Sequence, residues 1–168
     1  MADRGKITHL EGTFLQDSST SFAIVASRFN QQVVDKLVEG AIEALREHGV
    51  SIDRITLVRV PGAWEIPFGC ERMIKHHRPT AIVALGAVIR GETAHFDAVA
   101  SESIGGCARV MLETGVPIGL GILTTDSLAQ AMERAGGKMG NKGWEASLSA
   151  LEMASLAKML ASPTDGKD

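Results

Sequence analysis

The sequence predicts an α/β fold: a mainly parallel sheet with helices on both faces. Three observations predict it. Short Val/Ile-rich apolar runs recur along the chain. They lack the apolar/polar alternation of a strand with one wet face, which suits strands covered on both sides. Stretches of helical periodicity separate them, the pattern of repeated strand–helix units.

The elements follow in order. Residues 1–20 carry no helical stripe and read as an N-terminal arm. FAIVAS (22–27) is the first strand. In QQVVDKLVEGAIEALREHG, Val33, Val34, Leu37, Val38, Ala41, Ile42 and Leu45 form the i, i+3, i+4 stripe of an amphipathic helix, with Gly49 as its stop. RITLVRV (54–60) is the second strand. A second helix is expected from about Glu65 to His77, with Pro67 in its first turn and Pro79 beyond its end. AIVALGAVI (81–89) is the third strand, and a third helix should run from about Asp97 to Thr114. IGLGILT (118–124) is the fourth strand. Ser127 and Gln130 have capping-box spacing for a fourth helix ending at Gly136. A last helix spans roughly Lys142 to Leu160, and residues 162–168 read as a flexible tail.

The 168 residues, 45% of them hydrophobic, fit a single domain with a sizeable core. No linker, repeat or low-complexity segment divides them. A net charge of −3 gives no support to nucleic-acid binding. No apolar stretch reaches the roughly 18 residues of a membrane span, and the N-terminus lacks the apolar core of a signal peptide. A soluble cytoplasmic protein is expected. Cys70 and Cys107 each sit alone in a helix-like segment, which suggests two reduced, buried thiols.

Ligands of open parallel sheets bind beyond the carboxyl ends of the strands. Those ends here are SRFN, VPGAWE, VIRGETAHFD and LTTD. Phe29, beside Asn30, can stack on a planar heterocycle or staple the first helix. Gly62 and Ala63 leave backbone open to hydrogen bonding. Glu65 can accept from hydroxyls or simply favour the start of a helix. In GETAHFD, Gly91 permits a tight turn, and the helix that follows offers unpaired N–H groups to an anion. Thr93 adds a hydroxyl, Glu92 its backbone N–H, and His95 can move protons near neutral pH. His9 lies in the arm, and His48, His76 and His77 fall at helix C-terminal ends, where a structural role suffices. Arg134 and Lys142 can each hold a phosphate, but on their own they read as solvated surface charges. GGKMGNKG lacks P-loop spacing, GLGILT lacks the third glycine of a dinucleotide fingerprint, and no metal-ligand spacing or G-x-S-x-G elbow is present.

Taken together, SRFN, VPGAWEIP, GAVIRGETAHFD, GILTTD, QAMERAG and GNKGWEA resemble, in order and spacing, the 6,7-dimethyl-8-ribityllumazine synthase family. The resemblance runs from about Phe22 to Leu160. It implies a three-layer α/β/α sandwich of flavodoxin-like type on a four-stranded parallel sheet, whose N-terminal arm adds a strand to a neighbouring subunit. It implies condensation of 5-amino-6-(D-ribitylamino)uracil with 3,4-dihydroxy-2-butanone 4-phosphate, with no metal or organic cofactor. Phe29 matches the aromatic that stacks on the pyrimidine, with Asn30 in the same segment. Ala63, Trp64 and Glu65 match the ribityl-binding stretch, and Ala87, Val88 and Ile89 the strand end lining the pyrimidine pocket. Gly91, Glu92 and Thr93 match the phosphate-binding turn, His95 the proton-transfer residue, and Arg134 and Lys142 the phosphate-binding cations. Leu120 stands where the family usually has phenylalanine.

The resemblance further implies pentamers whose active sites are shared, with Phe29, Glu65 and His95 from one chain and Leu120 and Arg134 from the next. The short GGKMGNKG connection goes with hollow shells of sixty subunits, which can associate with a riboflavin synthase. A different class of function on the same scaffold is a flavin- or lumazine-binding storage protein, and a third is a generic flavodoxin-like domain with a structural or signalling role.

Overall fold

Two of the unbroken apolar runs in the sequence become the two central strands. β1 (Phe22–Ser27) is buried throughout, and β3 (Ala81–Ile89) is buried except at its last residue. β2 (Ile55–Val60) and β4 (Ile118–Thr125) flank them in a parallel sheet of order β2-β1-β3-β4. The computed structural model describes residues 7–162.

The connections set the layers. α1 (Gln31–Glu47) joins β1 to β2, α2 (Ile66–His77) carries the chain back to β3, and α3 (His95–Thr114) links β3 to β4. α4 (Leu128–Glu133) and α5 (Lys142–Ala161) follow. α1 and α5 pack with Ile24, Val83 and Leu85 in one apolar cluster, whereas α2 and α3 pack with Val25, Ile82 and Ala84 in the other. Alternate residues of each central strand thus feed opposite cores. This is the expected three-layer sandwich of flavodoxin-like type.

Local chemistry moves several boundaries. A 3₁₀ turn, Ala63–Glu65, precedes α2, and α3 starts at His95 rather than Asp97, so the histidine belongs to the helix itself. α4 stops at Glu133, short of the expected Gly136. The GGKMGN segment instead forms an antiparallel hairpin of β5 (Ala135–Gly137) and β6 (Gly140–Asn141). Gly136 and Gly140 take φ of +99° and +79° there, a region open to glycine at little cost. β2 does not have the two-sided burial its composition suggested. It lies at the sheet edge, with Thr56 and Leu57 exposed. Ser127 caps α4 by accepting from the Gln130 N–H, while the Gln130 side chain accepts from the Asp126 N–H, one residue earlier than a capping box requires.

The arm is tied to its own chain from Gly12 onward. Thr13 N–H donates to Ser155 Oγ, Gln16 Nε2 to the Leu151 carbonyl, and Lys158 pairs with Asp17 at 2.8 Å. Lys158 and the Ser19 hydroxyl hold the Asp17 carboxyl well below the usual range. Residues 7–20 form no strand; the expected tail beyond Ser162 lies outside the described residues. Cys70 and Cys107 are free and buried, as expected, but they are not isolated: they meet between α2 and α3, where hydrogen bonding to Cys107 and burial push the Cys70 thiol up. Among the described residues no helix is long and apolar enough to cross a membrane.

GNKG is a docking device. The Asn141 side chain accepts from the N–H groups of Gly143 and Trp144, capping α5, and its Nδ2 donates to the Lys36 carbonyl of α1. A Cβ on Gly143 would collide with the Leu37 carbonyl, so α5 crosses the bare backbone of α1 here. Gly143→Ala should therefore destabilise the fold by about 2–3 kcal/mol through overpacking. Urea denaturation checks this, and an unchanged midpoint would contradict so close a crossing.

Candidate functional site

β1 and β3 are neighbours, yet the helices that follow them leave on opposite faces of the sheet. A crevice opens at such a switch point, outside the strand ends. Its edges are stitched together. Arg28 N–H donates to the Val60 carbonyl and Phe29 N–H to the Pro61 carbonyl, extending the β1–β2 pairing beyond the strands. Asn30 takes φ 58°, ψ 42°, a left-handed conformation that Asn adopts more readily than most residues. Its Nδ2 donates to the Ala87 carbonyl at 2.8 Å, tying the β1 turn to the end of β3. Asn30, expected as a substrate contact, lines the cleft and uses one of its two amide N–H donors on this tie.

The resulting cleft holds about 700 Å³, within the usual span of small-molecule sites. Phe29, 72% exposed, and Trp64, 59% exposed, are among its lining residues. Ala63 and the strand end Ala87–Ile89 form the floor. Glu65 is fixed, because its Oε2 accepts the Gly62 N–H at 2.9 Å. This favours both readings of Glu65 at once: it starts the helix, and it holds a carboxylate on the cleft wall. Gly91, Thr93 and His95 also line the cleft. The His95 N–H lies 3.4 Å from Thr93 Oγ1, so the turn closes directly onto α3.

Some wall residues escaped the sequence reading. Pro61, Phe96, Ala98 and Val99 also line the cleft. Phe96 and Val99 are spaced i, i+3, a signal that becomes legible once α3 is known to begin at His95.

The remaining expected site residues lie elsewhere in the chain. Glu92 is exposed on the turn and does not line the cleft. Leu120 is 41% exposed on edge strand β4. Arg134 caps α4, with its guanidinium donating to the Gln130 carbonyl. Lys142 begins α5 and pairs with Glu145 at 2.9 Å. Arg134 and Lys142 are nonetheless neighbours: the Lys142 N–H donates to the Arg134 carbonyl at 2.8 Å across the base of the hairpin. Their side chains bond separately, to the Gln130 carbonyl and to Glu145. Among the described residues no lysine or arginine lines the cleft itself, so an anion beside Gly91–Thr93 would meet N–H groups and a helix N-terminus but no fixed cation from those residues. Among the described residues no cluster of three or more His, Cys, Asp or Glu is disposed to hold a metal.

Comparison with known proteins bears on this arrangement. A sequence profile of the 6,7-dimethyl-8-ribityllumazine synthase family matches residues 19–158. The chain is 55% identical over 139 residues to the 6,7-dimethyl-8-ribityllumazine synthase of Aquifex aeolicus (strain VF5), covering 83% of this chain and 90% of that protein. It is 48% identical over 155 residues to the protein of that name from Chlorobaculum tepidum, covering 92% of this chain and 99% of the relative.

The role of Asn30 can be tested without a ligand. Asn30→Ala forces alanine into the left-handed region and leaves the part-buried Ala87 carbonyl without its donor. It should cost about 2 kcal/mol in urea denaturation. A loss below about 0.5 kcal/mol would contradict the tie as the frame of the cleft.

Proposed function

The chain belongs to the 6,7-dimethyl-8-ribityllumazine synthase family, and from that premise we propose how its residues divide the family's chemistry. It is an enzyme of riboflavin biosynthesis. It condenses 5-amino-6-(D-ribitylamino)uracil with 3,4-dihydroxy-2-butanone 4-phosphate to give 6,7-dimethyl-8-ribityllumazine, phosphate and water. The observation that carries the division of labour is the cleft, which gathers Phe29, Glu65 and His95 around one space.

The pyrimidine stacks on Phe29 and meets the strand end Ala87–Ile89, where backbone groups and small side chains admit a flat ring. The ribityl chain extends along Ala63 and Trp64, with Glu65 accepting from its hydroxyls. The phosphate of the second substrate rests on the turn Gly91–Thr93, where the backbone of Glu92 and the start of α3 favour an anion. With both substrates held, the pyrimidine amine attacks the butanone carbonyl. Imine formation, phosphate elimination and ring closure then each require a proton to be moved, and His95 stands beside the phosphate turn to move it. Much of the acceleration comes from alignment of the two reactants. These steps are acid–base steps, so the scheme includes no metal or organic cofactor.

The charge on the phosphate calls for cations, which the cleft wall does not carry among the described residues. Arg134 and Lys142, side by side at the hairpin, supply them to the cleft of an adjacent subunit, and Leu120 closes that neighbour's pyrimidine pocket with an apolar wall. The exposure of Leu120 in one chain supports this reading. Five subunits close the ring, and the short GGKMGN connection favours twelve such rings in a shell of sixty subunits. The arm adds a strand to a neighbour's sheet, for which the unpaired edge of β2 is a suitable acceptor. A riboflavin synthase is the expected partner, and the cytoplasm the expected location.

Turnover is followed by lumazine absorbance and fluorescence. His95→Asn should lower kcat by roughly tenfold to a hundredfold with little change in either KM; unaltered kcat would remove His95 from proton transfer. Arg134→Ala should raise KM for the butanone phosphate far more than KM for the pyrimidine, and equal effects on both would count against its phosphate role. Light scattering reports the assembly, and isolated pentamers at every concentration would contradict the shell.

A further inference from the structure

Arg90 immediately precedes the phosphate turn, where an arginine is naturally taken for an anion ligand. Its side chain is committed elsewhere. Nε donates to Asp126 Oδ1 at 2.9 Å, NH1 lies 3.6 Å from Asp97 Oδ1, and the guanidinium carbon sits 4.3 Å from the centroid of the Phe96 ring. Its backbone N–H donates to the Thr125 carbonyl at 2.8 Å. Arg90 is not part of the cleft wall, whereas Phe96 is.

We propose that Arg90 is a positioning residue: it straps the Gly91–Thr93 turn and the first turn of α3, and with them His95, to the β4–α4 turn through Asp126. The inference rests on the assignment of proton transfer to His95. Two contacts, Asp97 and Phe96, lie in the same helical turn as His95, so fixing them fixes the direction from which the imidazole enters the cleft. The third contact, Asp126, belongs to a different element and serves as the anchor. It is itself held, since its N–H donates to Gln130 Oε1. The Gln130 carbonyl in turn accepts from Arg134. One connected chain therefore runs from the phosphate turn of a subunit to the helix that carries its Arg134. With two carboxylates satisfying its charge, Arg90 orients the turn and leaves phosphate binding to others. Asp126 first, and Asp97 after it, favour the charged guanidinium still further.

Exposed ion pairs add little to stability, so the strap should be read in kinetics. Arg90→Ala and Asp126→Asn are assayed with both substrates, alone and in a His95→Asn background. Arg90→Ala should lower kcat about tenfold, leave KM for the pyrimidine within about twofold, and shift the thermal midpoint by less than about 3 °C. Asp126→Asn should lower kcat in the same direction by a smaller factor. In the His95→Asn background, Arg90→Ala should change kcat by less than about twofold, because a removed imidazole cannot be misplaced. The same tenfold loss in that background would overturn the proposal. So would an intact kcat with a raised KM for the butanone phosphate, which would make Arg90 a phosphate ligand. If His95→Asn alone keeps wild-type kcat, the His95 assignment falls and the positioning role falls with it. That outcome is distinct from the other two, in which His95→Asn is itself impaired.

Discussion

Where β1 gives way to α1, the chain must turn toward one face of the sheet, while the chain leaving β3 turns toward the other. Asn30 makes that divergence hold its shape. It accepts a left-handed backbone at the turn, and it donates across to the Ala87 carbonyl at the end of β3. Everything in the cleft is placed relative to that tie. Phe29 precedes it and is pinned by the Pro61 carbonyl; Ala87–Ile89 is the floor it fastens; the turn to His95 follows that floor directly. The site is thus a property of strand order before it is a property of catalytic residues.

Charge is distributed unevenly around this frame. Three charged groups beside the Gly91–Thr93 turn have defined partners: Arg90 pairs with both Asp97 and Asp126, which leaves one net negative charge. The carboxylate of Glu65 is held on the cleft wall by the Gly62 N–H. Arg134 and Lys142, proposed above as phosphate-binding cations, flank the hairpin that Gly136 and Gly140 allow to form. The hairpin base brings Arg134 and Lys142 together by a backbone hydrogen bond rather than by side-chain contact.

Much of this was legible in the sequence, for identifiable reasons. The central strands were clear because burial on both faces leaves an unbroken apolar run, as in AIVALGAVI. α1 was clear because its apolar stripe faces one core. Phe29, Glu65 and His95 followed from the rule about strand ends, before any resemblance was invoked. What was not legible depended on tertiary partners. The exposure of β2 comes from its edge position, which its Val- and Ile-rich composition does not encode. The start of α3 at His95 depends on closure of the turn at Thr93, and only with that start do Phe96 and Val99 fall on the cleft. Nothing local marks Asn30 as a cross-strand tie, since its acceptor Ala87 is far away in sequence. The contact of Cys70 with Cys107 similarly depends on how α2 meets α3.

The central claim is that one chain offers an incomplete site, finished by Arg134 of the next subunit. Complementation tests it most directly. Two variants, His95→Asn and Arg134→Ala, are coexpressed in equal amounts so that their subunits mix, and lumazine formation is compared with each variant alone. Random mixing places an intact His95 beside a neighbour's intact Arg134 in roughly a quarter of the sites, so activity should rise to about that fraction of wild type. Activity no greater than the average of the two parent variants, in assemblies shown to contain both chains, would contradict a shared site.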